Sequence, residues 1–181
     1  MNVDKAILTR RSVRNFLPQQ VEDEKLKQVL IAGNSAPSAL NNTKKVFIAL
    51  EGDQVKSKIN AAVETTVSEE SRKRICSRSK TGEFNFFYNA PVLIVVASSD
   101  TLYPEADCAC AIENMYLRAV DLGLSACWIN QLTRTQNKDV LRILKHLGLG
   151  DNDTIYGALA LGYSEQEPCQ MNKSNKIIVV K

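Results

Sequence analysis

A chain of 181 residues with 44% hydrophobic and 24% charged residues has the composition of one folded domain, large enough for a proper core. Its net charge of +3 is too small to argue for a nucleic-acid or membrane partner. The opening residues, Met1 to Lys5, lack the apolar run of a signal peptide, and the apolar runs at residues 91–97 and 157–162 are too short to span a bilayer, so a cytoplasmic protein is expected.

Residues 3–9 read as a short helix. It leads into Arg10, Arg11, Ser12, Val13 and Arg14. Three guanidinium groups and a hydroxyl in so short a stretch can bind a phosphate, because arginine offers a planar fork of donors and serine adds one more. The plainer alternative is a solvated basic turn. Residues 21–34 form an amphipathic helix, with Leu26, Val29 and Leu30 at helical spacing and Glu22, Asp23 and Glu24 near its start. Gly33 to Pro37 supply its stop signals.

Residues 46–50 are a short buried strand. Residues 54–74 read as one polar helix, and 77–83 as a loop. Residues 91–97 are continuously apolar and β-branched, which predicts a strand covered on both faces. The longest helix spans 105–122. It is apolar nearly all round, with small residues at 106, 109 and 111 and a polar stripe of Asp107, Asn114, Arg118 and Asp121. A strand at 124–129, a helix at 136–147 and a strand at 154–162 follow. The tail, 175–181, carries Ile177, Ile178, Val179 and Val180, a strand-like run with no evident partner in its own chain. The pattern predicts a single α+β domain over residues 1–181, a sheet flanked by helices.

Several kinds of chemistry lack their residues. The sole histidine, His146, stands just before Gly148 and reads as a helix C-terminal cap. There is no nucleophile elbow, Walker loop or dinucleotide fingerprint, and no set with metal-ligand spacing. Cys76, Cys108, Cys110, Cys127 and Cys169 are an odd number without paired spacing, expected as free thiols. Arg72, Lys73, Arg74, Arg78 and Lys80 form a basic patch without interleaved aromatics, read as a solvated helix face and not a nucleic-acid surface. Hard chemistry in such a chain would be carried by a cofactor.

Five blocks, in order, carry a resemblance. They are residues 10–14, then 36–41 (Ala, Pro, Ser, Ala, Leu, Asn), 89–96 (Asn, Ala, Pro and an apolar run), 123–129 (Gly, Leu, Ser, Ala, Cys, Trp, Ile) and 157–163 (Gly, Ala, Leu, Ala, Leu, Gly, Tyr). Together they resemble the nitroreductase family of FMN-dependent NAD(P)H oxidoreductases. The resemblance implies a mostly antiparallel sheet flanked by helices, in an intertwined homodimer with two active sites at the interface. It also implies ping-pong hydride transfer from NADH or NADPH, through FMN, to a nitroaromatic, quinone or similar electron-poor small molecule, with no dedicated catalytic side chain and no metal.

The resemblance assigns site residues as well. Arg10 and Ser12 would meet the phosphate and ribityl chain, with Arg11 also in the cofactor site, and Arg14 would reach the ribityl or pyrimidine side. Pro37, Ser38, Ala39 and Asn41 would come from the partner subunit and close over the ring. Asn85 would reach the pyrimidine edge, or serve only as a loop asparagine. Trp128, Ile129, Asn130 and Gln131 would line the ring through backbone N–H groups, with core packing the alternative for Trp128. Lys173 would add charge at the phosphate. The chain departs from the family at Thr43, Lys44 and Lys45, where a Gln-Pro-Trp run is usual, and at Asn130 and Gln131, where small residues are usual. Those departures keep a second reading open: a flavin-binding or regulatory module of the same fold with little turnover.

Overall fold

The computed structural model describes residues 3–166 and 175–180. The elements are α1 (Val3–Thr9), α2 (Asp23–Asn34), β1 (Lys45–Leu50), α3 (Asp53–Glu64), α4 (Glu69–Cys76), β2 (Val92–Ser98), α5 (Pro104–Asp121), β3 (Ser125–Ile129), α6 (Lys138–His146) and β4 (Thr154–Gly162). The four strands form one antiparallel sheet in the order β1-β2-β4-β3.

The sheet is the middle of a sandwich. β2 is buried along its whole length, and its alternation feeds two cores. Leu93, Val95 and Ala97 join Ile59 and Val63 of α3, Ile75 of α4 and Leu144 of α6 on one face. Val92, Ile94 and Val96 join Val29 of α2 and Ile112, Met115 and Tyr116 of α5 on the other. A bulge in β4 opposite Val96 and Ala97 leaves Tyr156 out of register. Beside it, Gly157 admits a close approach. A Cβ there would lie 2.7 Å from Ile112 Cδ1 and 3.1 Å from Trp128 Nε1.

The single polar helix expected at 54–74 is two helices. Thr65 and Thr66 turn their hydroxyls back onto the carbonyls of Ala62 and Val63, which competes with helical continuation. Ser68 then caps α4 by accepting the N–H of Ser71. His146 ends α6 with Nδ1 2.7 Å from the carbonyl of Arg142. The polar stripe of α5 faces α2 and the loop after it: Asn114 donates to Ala32 O at 3.2 Å, and Arg118 donates to Gln28 Oε1.

Cys76, Cys108, Cys110 and Cys127 are free thiols; Cys169 lies outside the described residues. Cys108 is buried and Cys110 exposed, so their spacing of two does place them on different faces of α5. Residues 175–180 have no regular structure within this chain, and Ile177 to Val180 are at least 68% exposed.

Candidate cofactor site

The basic segment lies along the outer edge of the sheet. Ser12 bridges Ala126 of β3 in parallel, and the Val13 N–H donates to Ala126 O at 2.9 Å. Helix α5 supports the segment from the side. The Tyr116 hydroxyl lies 2.8 Å from Arg11 O and 2.7 Å from Ala126 O. Burial pushes this phenol up to about 12, against the nearby charge of Arg10.

The three arginines have different surroundings. Arg10 is occupied: its Nε pairs with Glu113 at 3.3 Å, and its guanidinium stands 4.7 Å from the centre of the Tyr116 ring. Arg14 donates to Ser12 O at 3.2 Å and lies 5.8 Å from the Tyr88 ring centre. Arg11 spends one nitrogen on Arg10 O, at 2.5 Å. Its Nε and Nη2 are buried and have no partner among the described residues. Arg11 lines a cavity of about 290 Å³ together with Thr9, Ser125, Ser164 and Gln166. Buried polar groups are seldom left unpaired, because each lost hydrogen bond costs about 1–3 kcal/mol. A guanidinium beside a cavity bordered by hydroxyls has donor chemistry suited to a phosphate monoester, although its two unpaired nitrogens are themselves shielded from solvent. Lys173, expected nearby, lies outside the described residues.

The other expected residues divide into groups. Trp128 sits with the α5-side core, its indole over Gly157 and its N–H without a partner among the described residues. Ile129 is buried on the opposite face of the sheet. Asn130 is exposed where β3 ends, and its carbonyl accepts the N–H of Thr133 at 3.0 Å; Gln131 is half-buried beside it. Asn85 organises its own turn. Its Oδ1 accepts the N–H groups of Phe87 and Asn89, and its Nδ2 donates to Asn89 Oδ1. Within that turn Tyr88 and Asn89 both adopt φ 57°. Lys56 braces the turn from α3, donating to Ala90 O at 3.1 Å and Pro91 O at 2.5 Å.

Residues 37–41 form a second strained turn. Leu40 has φ 54° and Asn41 φ 53°. Among the described residues, four of the five non-glycine residues with positive φ therefore lie in the two turns that the sequence pointed to. Strain of this kind clusters where surroundings over-determine a backbone, as at ligand sites. The turn at 37–41 stands apart from the Arg11 cavity and lines a separate polar one, with Asn34, Thr43 and Lys45. Sequence reading missed Tyr116, Tyr88, Lys56 and Asn42, which hold these pieces in place. Each acts through a contact with a residue distant in the chain, which no local pattern announces.

Comparison with known proteins decides the family. The family model for the nitroreductase family matches residues 7–163. The chain belongs to the nitroreductase family. A relative from Archaeoglobus fulgidus, which bears the provisional name NADH dehydrogenase/NAD(P)H nitroreductase, is 30% identical over 172 residues, covering 90% of this chain and 86% of its own. Among solved structures, a nitroreductase with bound FMN from Bacteroides fragilis is 33% identical and superposes over 100% of both chains, with a TM-score of 0.86. A nitroreductase from Desulfitobacterium hafniense shares the fold over 100% of both chains, with a TM-score of 0.84 at 24% identity. This nitroreductase-family chain thus has the expected architecture of helices around an antiparallel sheet. Among its described residues no helix is long and apolar enough to cross a membrane, and no cluster has the composition of a metal site.

Proposed function

We propose that this protein is an FMN-dependent oxidoreductase that takes hydride from NADH or NADPH and delivers it to an electron-poor small molecule such as a quinone or nitroaromatic. The observation that carries the reading is the Arg11 guanidinium beside a hydroxyl-bordered cavity, with two nitrogens unpaired among the described residues. FMN, when bound, supplies the two-electron redox chemistry. The side chains bind, orient and exclude water.

Arg11 and Ser12 hold the phosphate, and Arg10, braced by Glu113 and Tyr116, adds positive potential. Arg14, beside Tyr88, places a second guanidinium along the same edge, where it favours negative charge on the ring. The strand end at Ile129, Asn130 and Gln131 and the turn at Asn85 offer backbone and amide groups to the ring. With no dedicated acid among them, rate comes from positioning and electrostatics.

A homodimer with shared sites completes the reading. Val3, Ile7 and Leu8 of α1, Ile31 of α2, Leu40 and the four apolar residues of the tail are all more than half exposed. So much apolar surface on one small domain is the mark of an interface. In the dimer, the turn at 37–41 of each subunit closes over the cofactor of the other, and donor and acceptor use the same exposed face in turn.

The test is the cofactor itself. Heating the purified protein and separating what it releases should give FMN, at about one per chain. Recovery of FAD, or of no flavin from a protein that takes up none, would overturn the proposal.

A further inference from the structure

Helix α3 carries a lysine where its pattern calls for an apolar residue. Lys56 shares the buried face with Ile59 and Val63 and is only 2% exposed. Burying an ammonium is costly unless its donors are used. Those of Lys56 go to Ala90 O at 3.1 Å, Pro91 O at 2.5 Å and Asp53 Oδ1 at 3.1 Å. One turn further along α3, Asn60 holds the same segment. It donates to Phe84 O at 3.2 Å and accepts the Phe86 N–H at 3.1 Å.

Between these two anchors lie Tyr88 and Asn89, both left-handed at φ 57°. Such backbone persists only where its surroundings impose it. Past them, the successive carbonyls of Ala90 and Pro91 converge on one point, where a single ammonium serves both. An apolar residue at position 56 would leave both without that donor. The turn they close has a second contact. Tyr88 is 7% exposed, and its ring centre stands 5.8 Å from the Arg14 guanidinium. A line of contacts thus runs from α3 through the turn to the basic segment of the cofactor site. A break in the apolar pattern is expected where function demands it.

We propose that Lys56 is a positioning residue for the flavin site: by gathering the carbonyls of Ala90 and Pro91 it fixes the turn at 85–89, and through Tyr88 it fixes the direction of the Arg14 guanidinium. This rests on the flavin site proposed above. Lys56 itself touches neither cofactor nor substrate. A guanidinium held in one direction favours negative charge on the reduced ring more than one free to swing into solvent. The rigidity of the turn therefore sets part of the reduction potential of the bound flavin.

Four variants of the FMN-loaded protein test this. Lys56→Met removes the donors. Lys56→Arg restores them, and a cavity of about 270 Å³ beside Lys56 leaves room for the larger head. Tyr88→Leu keeps the anchor and removes the ring beside Arg14. Asp53→Asn removes a charge next to Lys56 and leaves both carbonyl bonds in place. Hydrogen exchange by mass spectrometry reads the turn, and equilibration with a two-electron reference dye reads the potential of the bound flavin. Lys56→Met should speed exchange at residues 86–90 and displace the dye equilibrium about tenfold toward oxidised flavin, a fall of about 30 mV. Lys56→Arg should recover most of that shift. Tyr88→Leu should show the same fall with slow exchange retained, and it keeps the test decisive should Lys56→Met fail to fold. Asp53→Asn should leave the potential where it is. Faster exchange with an unmoved potential in Lys56→Met, or an unmoved potential in Tyr88→Leu, would overturn the positioning role and leave the flavin site standing. A rise in Asp53→Asn that mirrors the fall in Lys56→Met would also overturn it, because Lys56 would then act by its charge alone. A wild-type protein that takes up no FMN would bring down both.

Discussion

Tyr116 reaches from α5 to the carbonyl of Arg11, oxygen to oxygen at 2.8 Å, and so ties the longest helix to the arginine with two nitrogens unpaired among the described residues. The same hydroxyl lies 2.7 Å from Ala126 O on β3, so one side chain joins helix, strand and the proposed phosphate-binding segment. Tyr116→Phe should therefore cost about 1–3 kcal/mol of stability, because Arg11 O loses a buried donor. FMN affinity should fall in parallel, while affinity for riboflavin, which lacks the phosphate, should hold. Equal losses for both flavins would mean that Tyr116 does not act through the cradle.

The same residue sets an alkaline limit. Burial lifts the phenol from 10.0 to about 12, so the folded state keeps a proton that the unfolded state releases first. Its contribution is complete below pH 10 and is lost as pH rises from 10 to about 12. Urea midpoints measured across that window should fall less steeply in Tyr116→Phe than in the wild type. Parallel curves would contradict the assignment.

Arg11→Ala should weaken FMN binding by about 1.5–3 kcal/mol, tenfold or more, as expected for the loss of charge-assisted bonds. Arg10→Ala and Arg14→Ala should also weaken it, but no more than Arg11→Ala. Arg10 is already engaged by Glu113 and Tyr116, and Arg14 by the Ser12 carbonyl. Isothermal titration of the apoproteins would rank them. Wild-type affinity in all three would make the segment the solvated basic turn that its sequence also allowed.

Much of this was open to reading along the chain, for identifiable reasons. β2 was legible because a strand buried on both faces must be apolar throughout, and β4 because its bounding signals coincide with its ends. The break between α3 and α4 was not. It depends on two threonine hydroxyls choosing backbone carbonyls over solvent, a choice that helical periodicity does not register. Arg11 is the sharper case. Three arginines look alike in sequence, and only Glu113 and Tyr116, more than a hundred residues away, make Arg10 the occupied one, while two Arg11 nitrogens have no partner among the described residues. Asp107 was read as part of a polar stripe, yet its bonds to Ala39 and Asn42 depend on the loop at residues 39–42 being brought against it.

Leu40→Asn tests the strain in the turn at 37–41. Asparagine tolerates left-handed backbone, and a leucine there carries a penalty of roughly 1–2 kcal/mol. The variant should match or exceed wild-type thermal stability in a melting experiment. A clearly lower melting temperature would contradict the account of the turn.

Removing residues 175–181 should lower dimer stability and release FMN together. Ile177 to Val180 are exposed in the single chain, and strand addition to the partner would satisfy both their side chains and their backbone. Sedimentation and flavin fluorescence on the truncated protein would check this. A truncated dimer with full FMN occupancy would show the tail to be dispensable.

The most direct measurement is an anaerobic titration of the purified, FMN-loaded protein with NADH and then NADPH, followed in the visible flavin band. The account predicts that at least one nicotinamide bleaches the band at one equivalent per flavin, and that menadione added afterwards restores it. A band that neither nicotinamide bleaches would contradict the oxidoreductase reading and point to a flavin-binding module that does not turn over.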